Sequence, residues 1–133
     1  MKLIKLETAR LAKEKGFDGL VLFYQNPIHG VVTIKGGACD MNSFGTNYYS
    51  LPTQSLLQKW LREKFGYHVV IIPTVTSNWT FKTIKVLSEM DNDVISGLKS
   101  VSDLPPYKEV SGIDFSTYEL ALEEGLIEIL KQI

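Results

Sequence analysis

Apolar and polar residues follow two different periods along the chain, and the change of period predicts its secondary structure. Apolar residues three or four positions apart indicate amphipathic helices, and short apolar runs between turn-forming residues indicate strands. The 133-residue chain then has the element order α-β-β-α-β-β-α. We therefore predict an α+β fold in a single domain, residues 1–133, with a mostly antiparallel four-stranded sheet covered by helices.

The segment 51–66 gives the clearest helix prediction. Pro52 suits a first helical turn, Thr53 is a predicted N-cap, and Gly66 is a predicted end. The apolar face consists of Leu56, Leu57, Trp60, Leu61 and Phe65. The predicted water-facing residues are Gln54, Gln58, Lys59, Arg62 and Glu63. A helix with one broad apolar face of this kind covers a sheet.

Two further helices are predicted near the ends of the chain. The first covers residues 6–15 and ends at Gly16, and the last follows a capping box formed by Ser116 and Glu119. Gly125 in the middle of the last helix costs about 1 kcal/mol relative to alanine, so we expect another element to pack closely against it. The predicted water-facing residues of this helix are Glu119, Glu123, Glu124, Glu128 and Lys131.

Four strands are predicted in two pairs. Residues 19–25 form an apolar run typical of a buried strand, and 31–34 follow after a turn. Residues 67–72 and 79–87 form the second pair, which a turn at 76–78 joins as a hairpin. The strand at 67–72 is apolar on both faces and is expected to be central. In the strand at 79–87 the apolar residues change face, which predicts a bulge or a twist.

Composition narrows the class of protein. With 14 basic and 15 acidic residues, the chain has no bulk charge that would attract nucleic acid, and a nucleic-acid partner is not expected. One cysteine excludes an intrachain disulfide and a cysteine-based zinc site, and no metal or cofactor is predicted. No apolar run approaches the roughly 18 residues of a membrane span, and no signal peptide is recognised. We therefore predict a cytoplasmic protein without a membrane partner.

Three segments resemble a known group of proteins. Residues 52–63 read PTQSLLQKWLRE, residues 115–126 read FSTYELALEEGL, and residues 8–17 read TARLAKEKGF. In this order they resemble a family of small uncharacterised proteins from phages, prophages and mobile elements of gut anaerobes. The resemblance implies a small accessory protein. It implies no activity, cofactor or catalytic residue.

One set of residues is a candidate for catalysis. Cys39 and Asp40 lie in a glycine-rich loop, and His29 lies ten positions earlier in a predicted connection. A cysteine nucleophile needs a lowered pKa, which a nearby imidazole or a helix N-terminus supplies. No recognisable motif flanks these residues, and a lone cysteine is more often a small buried apolar residue. The sequence therefore favours a non-enzymatic protein and leaves the question of an enzyme open.

Two functions stay open on the sequence alone. The first is a non-enzymatic protein-interaction module that binds a protein partner or a second copy of itself. Its candidate contact residues are Tyr48, Tyr49, Leu51, Ile95, Leu98 and Val101. The alternative is a small-molecule-binding domain or a minor enzyme, with the loop 36–47 as a lid and Cys39 or Asp40 at its mouth.

Overall fold

The structure is a computed structural model, and it describes residues 2–86, 108–109 and 114–133. Within these residues the protein is α+β, as predicted, with three α-helices and two small antiparallel sheets. The helices are α1 (Leu6–Glu14), α2 (Gln54–Phe65) and α3 (Tyr118–Gln132). The strands are β1 (Phe23–Asn26), β2 (Gly30–Thr33), β3 (Tyr49–Ser50), β4 (Tyr67–Pro73), β5 (Trp79–Lys85) and β6 (Lys108–Glu109).

The two predicted strand pairs lie in separate sheets, so the prediction of one four-stranded sheet is wrong. The first sheet has the order β2-β1-β3, and the second has the order β4-β5-β6. The second edge of β1 is taken by the two-residue strand β3, which the hydrophobic pattern does not reveal. It pairs with β1, and the N–H of Leu51 continues this pairing by donating to the carbonyl of Phe23 at 2.9 Å. Both sides of β1 are therefore occupied.

The second sheet contains a regular hairpin. Its register runs without interruption from Tyr67 opposite Lys85 to Pro73 opposite Trp79, so the predicted bulge is wrong. Among the described strands β5 lies between β4 and β6, so the prediction that the strand at 67–72 is central is also wrong. The hairpin turns at Ser77, whose φ of 66° is in the left-handed region.

The predicted ends of α2 are confirmed, and the start of α3 is shifted. The hydroxyl of Thr53 accepts a hydrogen bond from the N–H of Leu56 at 3.1 Å, and Gly66 ends α2 with a φ of 73°. In α3 the capping side chain is Thr117, which accepts from the N–H of Leu120 at 3.1 Å. The cap therefore lies one residue after the predicted Ser116.

The tight packing expected at Gly125 is confirmed. A Cβ atom at this position would lie 2.6 Å from Cγ1 of Val69 and 3.3 Å from the ring of Phe81. Helix α3 therefore approaches the β4–β5 hairpin more closely than any other residue type would allow without a shift.

One hydrophobic core joins all three helices to both sheets. Its fully buried members include Ala9, Ala12, Phe17, Val21, Leu51, Leu57, Leu61, Phe81, Leu122, Leu126, Ile129 and Leu130. Small residues face the core from α1, and large aliphatic residues face it from α2 and α3. This distribution brings α1 close to α3.

A buried carboxylate joins the three helices. Glu123, expected to face water, is 1% exposed, and Gln54, also expected to face water, is 4% exposed. One carboxylate oxygen of Glu123 accepts from the backbone N–H of Lys5 at 3.0 Å and from the hydroxyl of Thr8, and the other accepts from Nε2 of Gln54 at 2.9 Å. No side chain of α1 caps its own N-terminus. The carboxylate from α3 takes that role.

Candidate binding surfaces

An apolar groove lies between the start of α2 and the chain preceding β1. Its volume is about 260 Å³. The lining residues are Leu3, Leu20, Val21, Leu22, Phe23, Ala38, Leu51, Pro52, Thr53 and Leu56. Nine of these ten side chains are apolar. We call this surface the Leu20 groove, because Leu20 is the most exposed large apolar residue that lines it, at 62%.

Backbone pairing of the N-terminal segment builds one wall of the Leu20 groove. Leu3 forms an antiparallel bridge with Thr53, and the N–H of Ile4 donates to the carbonyl of Pro52 at 3.1 Å. The N–H of Gln54 donates to the carbonyl of Lys2 at 2.8 Å. The segment before α1 is therefore attached to the residues that begin α2.

The opposite wall comes from the run predicted to be a buried strand. Val21 is 3% exposed, whereas its neighbours Leu20 and Leu22 are 62% and 51% exposed. Side chains alternate between the two sides of extended backbone, so Val21 enters the core and its two neighbours point away from it. Sequence reasoning missed these exposed leucines, because a continuous apolar run does not show which residues lack a partner.

A second depression lies beneath the glycine-rich loop, where the sequence placed a possible ligand site. Its volume is about 440 Å³, and it is more open than the Leu20 groove. Its lining residues are Tyr24, Val32, Thr33, Ile34, Lys35, Cys39, Met41 and Phe44. We call it the loop depression. It shares no lining residue with the Leu20 groove.

Cys39 lines the loop depression in a structural setting. Its side chain is half-buried, and its Sγ lies 3.3 Å from Sδ of Met41. Its backbone N–H and carbonyl exchange hydrogen bonds with Val21 at 3.1 and 3.0 Å. These contacts hold the residue in place and supply no base for the thiol.

The structure does not assemble the candidate catalytic set. His29 is exposed in the turn between β1 and β2, where its N–H donates to Oδ1 of Asn26 at 3.0 Å. Cys39 pairs with Val21, five residues before Asn26, which corresponds to about 16 Å along extended backbone. Asp40 accepts from the N–H of Asn42 at 3.1 Å and caps the 3-10 turn Met41–Ser43. It has a local structural role.

The predicted contact residues differ in their surroundings. Tyr48 and Tyr49 are half-buried, and Leu51 is only 2% exposed, so the prediction of an exposed Leu51 is wrong. The cationic groups of Arg10 and Lys13 lie 5.7 and 5.0 Å from the ring centre of Tyr49. The remaining candidates, Ile95, Leu98 and Val101, lie outside the described residues.

Two electrostatic features involve residues outside the linings of the Leu20 groove and the loop depression. Burial lowers the pKa of His68 on β4, and the positive charge of Arg62 lowers it further. A salt bridge joins Lys59 and Glu63 on the exposed side of α2 at 3.9 Å. Across residues 2–86, 108–109 and 114–133, no three His, Cys, Asp or Glu side chains converge in a way that would hold a metal ion.

No protein family, no curated protein and no solved structure matches this chain. In the part of the chain that the structure describes, none of the helices has the length and apolar character needed to span a bilayer. The structure therefore defines an α+β protein with an apolar groove.

Proposed function

We propose that the protein is a non-enzymatic interaction module whose Leu20 groove receives a large apolar side chain of a partner protein. The observation that carries this proposal is the concave apolar lining beside two exposed leucines, Leu20 and Leu22. Exposed apolar surface around a pocket is typical of a contact site, because water contact with such surface is unfavourable.

The almost entirely apolar lining of the Leu20 groove favours a side chain over a free ligand. Pockets for small molecules usually enclose about 300–1,000 Å³ and contain several polar groups. The groove encloses about 260 Å³, and Thr53 is its one polar lining residue. An apolar cavity of about 150 Å³ is large enough for benzene, so the groove has room for one aromatic or aliphatic anchor residue. Such anchors supply most of the affinity in protein interfaces.

The alternative function, a small-molecule site or minor enzyme at the loop 36–47, has one supporting observation. The loop depression has a suitable volume of about 440 Å³, and Cys39 lines it. The catalytic set is not assembled there, because His29 is in a distant turn and Asp40 caps local backbone. Reaction of Cys39 with a thiol reagent at neutral pH in the folded protein would favour this alternative, and reaction only after unfolding would exclude it.

We also propose that the protein is a cytoplasmic accessory protein of the phage and mobile-element family that it resembles. An accessory protein of a phage or mobile element that acts by binding host or phage proteins would need no catalytic residues. Support for this context comes from the three sequence segments at residues 8–17, 52–63 and 115–126.

Peptide selection tests the Leu20 groove directly. A displayed random peptide library is selected on the wild-type protein, and the affinity of enriched synthetic peptides is then measured. We expect these peptides to share a large apolar residue and to bind at least about tenfold more weakly to the double variant Leu20→Ser and Leu22→Ser, because the anchor then loses much of its apolar contact. Val75→Ser is the matched control, since Val75 is fully exposed in the distant β4–β5 turn.

Two outcomes would overturn the proposal. One is the absence of enriched peptides, or equal affinity of the enriched peptides for the double variant and the wild type. The other is a homodimer in a native mass spectrum that the same two serine substitutions convert to monomer. In that case the occupant of the groove is a second copy of the chain.

A further inference from the structure

The outer edge of β2 carries backbone groups that no described strand pairs with. The N–H of Ile34 donates to the carbonyl of Leu22 at 2.8 Å, which fixes the residues of β2 that bond to β1. In an antiparallel ladder these alternate with residues whose N–H and carbonyl point away. The backbone N–H and carbonyl groups that point away from β1 therefore belong to Val31 and Thr33. Both residues are exposed, Val31 to 59%.

Among the residues that the structure describes, this edge lacks the protection present at an edge of the second sheet. The outer edge of β4 contains Pro73, which has no N–H, and Nε2 of Gln58 donates to the carbonyl of Val69 there at 3.3 Å. Proteins commonly use proline, charged residues or covering side chains to prevent strand addition. The strand β2 has the sequence Gly-Val-Val-Thr and contains none of them.

The loop depression extends to this same edge. Thr33, whose backbone points outward, is among its lining residues, together with Val32 and Ile34 on either side. A strand added beside β2 would place alternate side chains over one face of the sheet. One of these side chains would enter the depression. Other proteins bind extended peptides by strand addition in this way. The backbone hydrogen bonds give affinity, and the pockets for alternate side chains give specificity.

Charge identifies the chemistry of the partner. Lys35 lies at the rim of the loop depression, is exposed, and forms no salt bridge with any described residue. A second copy pairing through its own β2 would bring no acid to this lysine, because residues 30–35 contain no Asp or Glu. A different protein with a carboxylate beside its apolar anchor would complement it.

We propose that the β2 edge binds an extended segment of another protein by antiparallel strand addition. A large apolar side chain of that segment occupies the loop depression, and a neighbouring carboxylate pairs with Lys35. This surface is separate from the Leu20 groove, so the inference stands or falls independently of the proposed function.

An array of ten-residue peptides tests the inference. In each peptide every second residue is threonine, and the positions between the threonines are varied. A central varied position carries tryptophan, leucine or serine. A flanking varied position carries glutamate, lysine or glutamine. We expect peptides with tryptophan and glutamate to bind best. In the variant Lys35→Glu the preference should change from glutamate to lysine, which a loss of folding would not produce.

Backbone pairing is tested by proline substitution. Thr33→Pro removes only an outward N–H, so the fold should persist while affinity falls about three- to tenfold, the value of one hydrogen bond. Val32→Pro is the control, because it removes an N–H that bonds to β1 and should disrupt the hairpin. Amide exchange of Val31 and Thr33 should slow when a peptide binds.

The inference would be overturned by the absence of binding throughout the array, by binding that neither Thr33→Pro nor Lys35→Glu changes, or by binding without protection of the two amides. A homodimer that Thr33→Pro dissociates would also contradict it, since the β2 edge would then be occupied by a second copy.

Discussion

Glu123 on α3 accepts a hydrogen bond from Nε2 of Gln54 at the start of α2 at 2.9 Å, and both side chains are buried. The same Nε2 donates to the carbonyl of Glu119 at 2.9 Å. Because Glu123 also accepts from Lys5 and Thr8, one carboxylate organises the junction of all three helices. All its described partners are donors.

Replacement of Glu123 should therefore strongly destabilise the protein. Glu123→Ala removes the acceptor for three donors, two of which belong to the buried side chains of Thr8 and Gln54, so we expect a loss of at least about 3 kcal/mol in the free energy of unfolding. Glu123→Gln should cost about 1–3 kcal/mol, since its amide places a donor against donors. Urea unfolding measures both. Glu124→Ala on the exposed side of α3 is the control and should change stability by less than about 0.5 kcal/mol; a similar small effect at Glu123 would contradict this account.

Gly125 should be intolerant of alanine for a steric reason. Alanine gains about 1 kcal/mol in helix propensity, but its Cβ would lie 2.6 Å from Val69. Overpacking costs about 1–3 kcal/mol, so Gly125→Ala should be destabilising overall. In the background of Val69→Ala the same substitution should become neutral or stabilising. A double-mutant cycle by thermal or urea unfolding measures this coupling, and additive effects would show that the contact has no energetic consequence.

Thr83 on β5 offers a stabilising substitution. Its side chain is fully buried, and its hydroxyl has no hydrogen-bond partner among the described residues. Burial of an unpaired hydroxyl is unfavourable, so the nearly isosteric Thr83→Val should raise the free energy of unfolding by about 1 kcal/mol. Thr83→Ala, which also removes a methyl group, is the comparison. A loss of stability in the valine variant would show that the hydroxyl has a partner, such as a buried water.

His68 should make stability depend on pH in one direction. Its pKa in the folded protein is below the ordinary value of 6.5, so the unfolded chain binds more protons between the folded pKa and about 6.5. The contribution of His68 to the free energy of unfolding should be complete above this pH window and should decrease as the pH falls through it. His68→Gln should remove this part of the pH dependence, measured as the urea midpoint at several pH values.

The neighbouring charge gives a second test at this site. Arg62→Gln removes the smaller of the two causes, so the pKa of His68 should rise towards 6.5 without reaching it, because burial remains. Titration of the imidazole by NMR measures the change. Lys64→Gln removes an exposed positive charge from the same helix and is the control. An unchanged pKa in the Arg62 variant would assign the whole shift to burial.

The amino-acid sequence by itself determined the local structure. Thr53 and Gly66 define the ends of α2 because capping and left-handed backbone depend on residue type within a few positions. The pattern of apolar residues gave the order of helices and strand pairs, and Gly125 indicated a close approach. Helix ends and the faces of helices and strands depend on residues that are close together in the chain, so the sequence shows them directly.

Only the tertiary structure decided which residues meet across the chain. The short strand β3 is too brief to leave a hydrophobic pattern, yet it occupies the second edge of β1. Glu123 and Gln54 look like surface residues, and they are buried because donors from α1 and α2 converge on one carboxylate of α3. The Leu20 groove and the loop depression likewise depend on contacts between distant segments. The spacing of apolar residues along the sequence predicts on which face of a helix or strand a residue lies. Which residues it contacts depends on how the helices and sheets pack together.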